Sequence, residues 1–366
     1  MITKKRLTPI YVFGLLALTL FSQCKSKPEL GDIVSPVVPV VPVPPIAPSS
    51  GTLMFKNGFE GTTRIEVRTS QHDNIRGSDG VAQSDWLLDL ERNKFFGTGQ
   101  IVYEQGDYSQ RRAEVVVDPA NPNNKVLRMR IHEKHITLLN PDGSIKEQKA
   151  RIQYDLQNQN APPSEGFLKE YYQKVRIYFS PNFSVLKQAG TDNVGWMIMQ
   201  EFWNDPSFTY TGQAAHRPAR TDVGLAVKSG KLHFAAGGRD PIMELPKPGN
   251  NSWHEVGTAL DIPLGKWMTQ EIYVKEGGSA GTANPGRFYL AITPDGGQKI
   301  VLVDKIGMTA SEEPGAVHDG QSAWNPIKFY SEGRVLDWFK NAPGGAKTMD
   351  IYWDDLEIWR DRRPER

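Results

Sequence analysis

GWMIMQEFW, residues 195–203, has the composition of an interior strand with one polar residue, Gln200, where a buried strand is apolar. RRAEVVVD (111–118) places Arg112 and Glu114 on one face, and IKFY (327–330) places Lys328 and Tyr330 on one face. Side chains alternate along a strand, so residues i and i+2 point the same way. We expect these three segments to be neighbouring strands whose polar faces line one groove.

Working outward, 53–362 breaks into short β-type runs. Examples are Lys125–Ile131, Tyr171–Phe179, Val223–Lys228, Lys231–Ala235, Trp267–Lys275, Arg287–Ile292, Lys299–Val303 and Met349–Trp359. Turn sequences NPNN, NPDG, KSGK and TPDGG separate them, and KSGK between alternating runs predicts a tight hairpin. Pro162-Pro163 and Pro246–Asn251 mark longer loops. A helical turn or two is expected within Ser331–Lys340. No repeat of 20–50 residues is visible. Many short strands with regular turns predict an all-β sandwich or jelly roll, in one domain.

The bulk numbers agree. The chain has 366 residues, net charge +1, 34 Gly, 26 Pro and 10% aromatic residues. That length buries a sizeable core, and the neutral balance gives no case for a nucleic acid partner. The single cysteine, Cys24, excludes an internal disulfide and a cysteine metal cluster.

The N-terminus reads differently. Lys4, Lys5 and Arg6 precede an apolar run, Ile10 to Phe21, too short for a comfortable membrane span and suited to a signal peptide. Ser22-Gln23-Cys24 resembles a bacterial lipoprotein processing site, which implies cleavage before Cys24 and lipid on its thiol. Gln23 departs from the usual small residue. Residues 25–52 contain VSPVVPVVPVPPIAPSS, an extended tether. The expected organisation is therefore 1–24 signal, 25–52 tether and 53–362 β-domain, a monomer lipid-anchored in a bacterial envelope. Lys-Ser-Lys after Cys24 gives no case for surface export.

An ordered set of segments then carries a family resemblance: FKNGFEG (55–61), QRRAEV (110–115), MIMQEFWNDP (197–206), VGLAVKSGKLHF (223–234), GKWMTQEIYVKEG (265–277), NPIKFYSEG (325–333) and MDIYWDDLEIW (349–359). The chain resembles concanavalin A-like jelly-roll polysaccharide lyases of the heparin lyase I, glucuronan lyase and alginate lyase type. The resemblance implies β-elimination on an acidic polysaccharide: alginate, glucuronan, a glycosaminoglycan or ulvan. Three departures stand out. Val116 replaces a third polar residue after Arg112 and Glu114. Phe202 stands where a His follows the Gln. Glu332 stands where a Tyr follows the Lys, and Tyr330 is the substitute.

Elimination needs the uronate carboxylate neutralised, a base for the C5 proton and an acid for the leaving oxygen. Gln200 and Arg112 are the candidates for neutralisation, with Glu114 orienting Arg112 or binding a substrate hydroxyl. Tyr330 is the candidate acid, or base and acid together, with Lys328 beside it to hold the substrate charge. His216 in GQAAHRPAR is the candidate base, with Arg217 and Arg220 close by to hold an acidic chain. Trp203 is a stacking candidate, with Trp196, Tyr210 and Trp267. His132 and His135 are expected at the surface, and Lys228 and His233 beside the KSGK turn are weaker groove candidates. No cofactor is expected. The resemblance allows a structural calcium ion at Asp354-Asp355, whose carboxylates should point to opposite faces of a strand. Two competing readings are a non-catalytic glycan-binding lipoprotein and a glycoside hydrolase. The second lacks a strand with acidic residues at i, i+2 and i+4.

Overall fold

The computed structural model describes residues 50–104, 108–157, 167–189, 197–204, 219–239, 253–310, 312, 318 and 320–365. The expected signal segment, Cys24 and nearly all of the expected tether lie outside the described residues, as do Trp196, Tyr210, His216, Arg217 and the two proline loops.

The strands run in chain order as follows: β1 (Ser50–Asn57), β2 (Arg64–Val67), β3 (His72–Arg76), β4 (Thr98–Val102), β5 (Arg111–Val117), β6 (Lys125–Ile131) and β7 (Ile136–Leu139). Then come β8 (Ile145–Gln157), β9 (Glu170–Phe179), β10 (Met197–Asn204), β11 (Arg220–Lys228), β12 (Lys231–Arg239) and β13 (Trp253–Val256). The last are β14 (Trp267–Lys275), β15 (Arg287–Pro294), β16 (Ile300–Ile306), β17 (Gln321–Asn325), β18 (Lys328–Glu332) and β19 (Met349–Arg362).

They form two sheets. The 8-stranded sheet has the order β16-β15-β14-β9-β19-β6-β5, with β1 on β19. The 11-stranded sheet has the order β13-β12-β11-β10-β17-β8-β4-β3-β2, with β18 between β10 and β8 and β7 on β8. Neighbouring named strands pair antiparallel. The protein is thus an all-β, two-sheet antiparallel sandwich, as the spacing of short strands and turns predicts.

Alternation in sequence becomes a two-faced sheet. On β9, Tyr171, Val175, Ile177 and Phe179 enter the main core, while Tyr172 and Tyr178 join separate outer clusters. On β14, Met268, Ile272 and Val274 point inward and Trp267 and Tyr273 outward. Each fully buried large apolar side chain contributes about 1.5–3 kcal/mol. The KSGK hairpin forms as expected: Lys228 pairs with Lys231, and Ser229 and Gly230 take φ of 52° and 69°. Positive φ at both positions is the type I′ signature, which matches strand twist. After β18 the helix α1 (Gly333–Asn341) buries Val335, Leu336 and Phe339.

The grouping of three strands into one groove is corrected here. β10 and β18 are neighbours in the 11-stranded sheet, but β5 is the edge of the other sheet. Arg112 therefore lies away from Lys328 and Tyr330. It pairs with Glu114 at 2.9 Å, and Glu114 also binds Arg128 across the β5–β6 pair. Trp267 is likewise on the outer side of the 8-stranded sheet. Its Nε1 donates to Asp118 at 2.9 Å and Arg176 covers its ring.

Candidate active site

The outer face of the 11-stranded sheet carries a band of polar side chains running across β12, β11, β10, β17, β18 and β8. The sequence of β8 builds one side of it. In RIQYDLQ (151–157), Ile152, Tyr154 and Leu156 are buried in the core, so Arg151, Gln153 and Asp155 point the other way. Register sets Lys328 opposite Gln153 and Tyr330 opposite Arg151.

A β-bulge decides what β10 contributes. Its register with β11 shifts between Ile198 and Gln200. The extra residue places Met199 and Gln200 both on the core side, and Glu201 and Trp203 then face outward. Gln200 is fully buried and donates from Nε2 to Gln270 Oε1 of the opposite sheet at 2.5 Å. The expectation that Gln200 lines the groove is therefore corrected: it is a bridge between the sheets. Its neighbour Glu201 holds the outward position.

Glu201 is 6% exposed and Lys328 is 2% exposed, and the two form a buried ion pair. Arg220 Nη1 lies 3.7 Å from Glu201, and Arg220 Nε lies 3.6 Å from Asp222. Arg239 reaches the same Asp222 oxygen at 3.6 Å, and the Arg220 guanidinium covers the Trp203 ring at 5.1 Å. On the other side, Asn325 Nδ2 donates to Asp155, which also accepts from Gln153 Nε2 at 2.8 Å.

Tyr330 sits among cations. Its ring centroid is 5.3 Å from the Arg151 guanidinium, 5.6 Å from Lys149 Nζ and 5.8 Å from Lys328 Nζ. Arg151 also pairs with Glu104 at 2.6 Å, and Lys149 with Glu147 at 2.8 Å. Burial pushes the Tyr330 phenol up, Glu147 adds to this, and Arg151 opposes it. The phenol is therefore protonated at rest. Burial pushes Lys328 down, against the pull of Glu201. Burial also resists ionisation of Glu201, but the charges of Lys328 and Arg220 outweigh it and lower its pKa. Asp222 and Asp155 are both pushed up by burial, against Arg239 and Arg220 in one case and Gln153 and Lys328 in the other.

The structure thus brings together Lys328, Tyr330, Arg220 and Trp203, and moves Gln200, Arg112 and Glu114 elsewhere. Sequence reading missed Arg151, Gln153, Asp155, Glu201, Asp222, Arg239 and Asn325. The strict polar–apolar alternation of RIQYDLQ was a usable signal for the first three.

His135 is buried rather than at the surface: its Nε2 accepts from the Arg151 N–H at 3.0 Å, and burial and Arg111 push it down to about 4. His132 is partly exposed beside Glu133. His233 is buried and held to the Leu260 carbonyl at 2.6 Å, while Lys228 is exposed.

At Asp354-Asp355 the alternation expected of a strand fails. The pairing of β19 with β9 shifts after Asp354, and Asp355 takes φ 46°. Asp354 accepts from Asn124 Nδ2 at 2.9 Å and from the Asp355 N–H at 2.8 Å. Burial and the Asp355 charge push Asp354 up to about 7. Among the described residues no group of three or more His, Cys, Asp and Glu is arranged to hold a metal ion. No helix among them is long and apolar enough to cross a membrane.

No family model and no curated protein matches the chain. Solved structures similar to it include polysaccharide lyases. One is the PL-14 alginate lyase from Aplysia kurodai, at 10% identity, covering 80% of this chain and 100% of that one, with TM-score 0.40. Another is the endo-β-1,4-glucuronan lyase from the fungus Trichoderma reesei, at 11% identity, 70% and 90% coverage and TM-score 0.37. A third is a mutant of alginate lyase Aly36B in complex with an alginate tetrasaccharide, at 13% identity, 71% and 90% coverage and TM-score 0.36.

Proposed function

We propose that the chain is a polysaccharide lyase that cleaves a uronate-containing polysaccharide by β-elimination. The observation that carries this reading is Tyr330, a phenol held protonated among Lys149, Arg151 and Lys328 on one sheet face. Elimination proceeds when a base takes the C5 proton, the C4–O bond breaks and an acid protonates the leaving oxygen. Tyr330 is the acid. Arg151 takes the neutralising role expected of Arg112, and the Gln153 and Asn325 amides take that of Gln200. Lys328 and Glu201 fix the floor beneath Tyr330, and Arg220 and Trp203 extend it for a sugar. His216 is kept as the base and Arg217 as a substrate contact, both proposals on residues outside those described.

The test is ultraviolet absorbance of the unsaturated uronate on a panel of alginate, glucuronan, glycosaminoglycans and ulvan. One polymer should give a rise, and Tyr330→Phe should lower that rate about 100-fold or more, the usual scale for losing a general acid. An unchanged rate in Tyr330→Phe would remove Tyr330 from the chemistry. A single observation favours a second reading, glycan binding without cleavage: Glu201, Asp222 and Lys328 already satisfy one another or Arg220 and are all under a tenth exposed. Binding to one polymer with no absorbance rise on any would select it.

The same proposal includes the N-terminus. Cys24 is lipidated, and residues 25–52 tether the enzyme to a bacterial envelope. Fatty-acid labelling of the full chain should disappear in Cys24→Ser; labelling that persists would sink this part.

A further inference from the structure

The sandwich has an open side. There β2, the end strand of the 11-stranded sheet, faces β5, the end strand of the 8-stranded sheet. Between them lies a cleft of about 540 Å³ lined by both strands and by Tyr108. Ligand sites commonly span about 300–1,000 Å³.

The floor is apolar and packed on the core. Ile65, Val115 and Tyr108 pack against the main core, and Ala113 belongs to it. The Tyr108 hydroxyl donates to Asp73 Oδ1 at 2.6 Å, and its ring meets Tyr103 edge-on at 5.7 Å. Asp73 also accepts from Tyr103 at 2.6 Å and from the Arg68 N–H at 3.3 Å, so its charge is spent on phenols and backbone.

The rim is cationic. Arg64 and Lys125 are exposed, and the Arg112 side chain is 55% exposed. The remaining lining carboxylate, Glu114, is shared by Arg112 and Arg128. Cations therefore exceed carboxylates around an apolar floor. That pattern suits a ligand with apolar ring faces and pendant carboxylates. A plain inorganic anion would leave the floor unused.

We propose that this cleft is a second binding site, for an acidic oligosaccharide, separate from the band around Tyr330. Ring faces lie on Tyr108 and Val115, and carboxylates meet Arg112, Arg64 and Lys125. The site holds the polymer while another stretch occupies the groove. The choice of a carboxylated sugar rests on the lyase reading.

The test uses the full chain carrying Tyr330→Phe, to stop turnover, titrated calorimetrically with alginate and glucuronan tetrasaccharides. Two sites are expected for at least one of them. Adding Arg112→Gln and Lys125→Gln should leave one site, with unchanged melting temperature. In the otherwise wild-type chain, with Tyr330 intact, the same pair should slow cleavage of polymer several-fold and leave the initial rate on tetrasaccharide within two-fold. Two sites that survive the pair would overturn the cleft. A single site insensitive to the pair, and lost in Arg151→Gln, overturns the cleft and leaves the groove standing. A single site lost with the pair supports the cleft and counts against the groove. No binding of either sugar overturns both.

Discussion

Removing either partner of the Glu201–Lys328 pair should destabilise the protein, with opposite pH dependence for the two variants. Lys328 is 2% exposed and Glu201 6%, so water cannot replace a lost partner. Two unit charges within about 4 Å interact by about 4 kcal/mol at an effective dielectric of about 20. Removing one partner of a buried pair typically costs about 3–5 kcal/mol, because the other charge is stranded. At about 2 °C per kcal/mol for a domain this large, Glu201→Gln should melt about 6–10 °C lower at pH 7. Lys328→Met should lose less, since Arg220 still lies 3.7 Å from Glu201. The signs follow from linkage. Burial already holds Lys328 below its usual value, and without Glu201 it falls further. The folded Glu201→Gln protein therefore disfavours the proton, and its stability rises as pH climbs toward the unfolded lysine value. In Lys328→Met, Glu201 loses its main opposing charge and its pKa rises. That variant loses stability as pH rises above the unfolded glutamate value. Thermal melts of both variants and of the double variant at about pH 4, 6 and 9, each against wild type, read all of this, and the double should recover most of the larger loss. Losses under about 1 kcal/mol in both singles, or pH slopes of one sign, would refute a buried charged pair.

Two further perturbations bear on other residues. Gln200→Leu should cost about 1–3 kcal/mol, because the Gln270 amide is left without its partner, and Gln200→Leu with Gln270→Leu should recover much of it; a urea midpoint that stays put while activity falls would return Gln200 to the groove. Asp354 is pushed up to about 7 from 3.8, so its protonated form favours the folded state. Its contribution is full below about pH 4 and is lost as pH rises through about 7. Asp354→Asn should therefore flatten the melting curve over that window and stabilise the protein at pH 8. Lower stability at pH 8, with calcium raising the melting point of wild type alone, would instead mean that the carboxylate serves a cation.

The fold was legible because its signals are local. Period-2 runs gave Lys125–Ile131 and Trp267–Lys275 with the bounds the strands have, and KSGK carried its own turn chemistry. Sheet membership was not legible. RRAEVVV and KFYSE are both amphipathic strands, and nothing in either says that β5 closes the 8-stranded sheet while β18 sits between β10 and β8. That information lies in pairings between residues far apart in the chain, Ile198 with Tyr330, Gln153 with Lys328 and Leu127 with Trp353, which a single sequence does not display.

The site failed at a finer level, through one residue of register. Alternation assigns faces only while the ladder is regular, and a bulge inverts every assignment beyond it. In MIMQEFWN the shift after Ile198 turns Gln200 inward and Glu201 outward. The stretch held a warning, since Met199 and Gln200 on one face leave Glu201, Phe202 and Trp203 alternating in the opposite phase. A regular strand with Gln200 in the groove would have sent Glu201 into the core with no cation to meet it, at a cost of several kcal/mol. Weighing that unpaired carboxylate against a core glutamine favours the bulge.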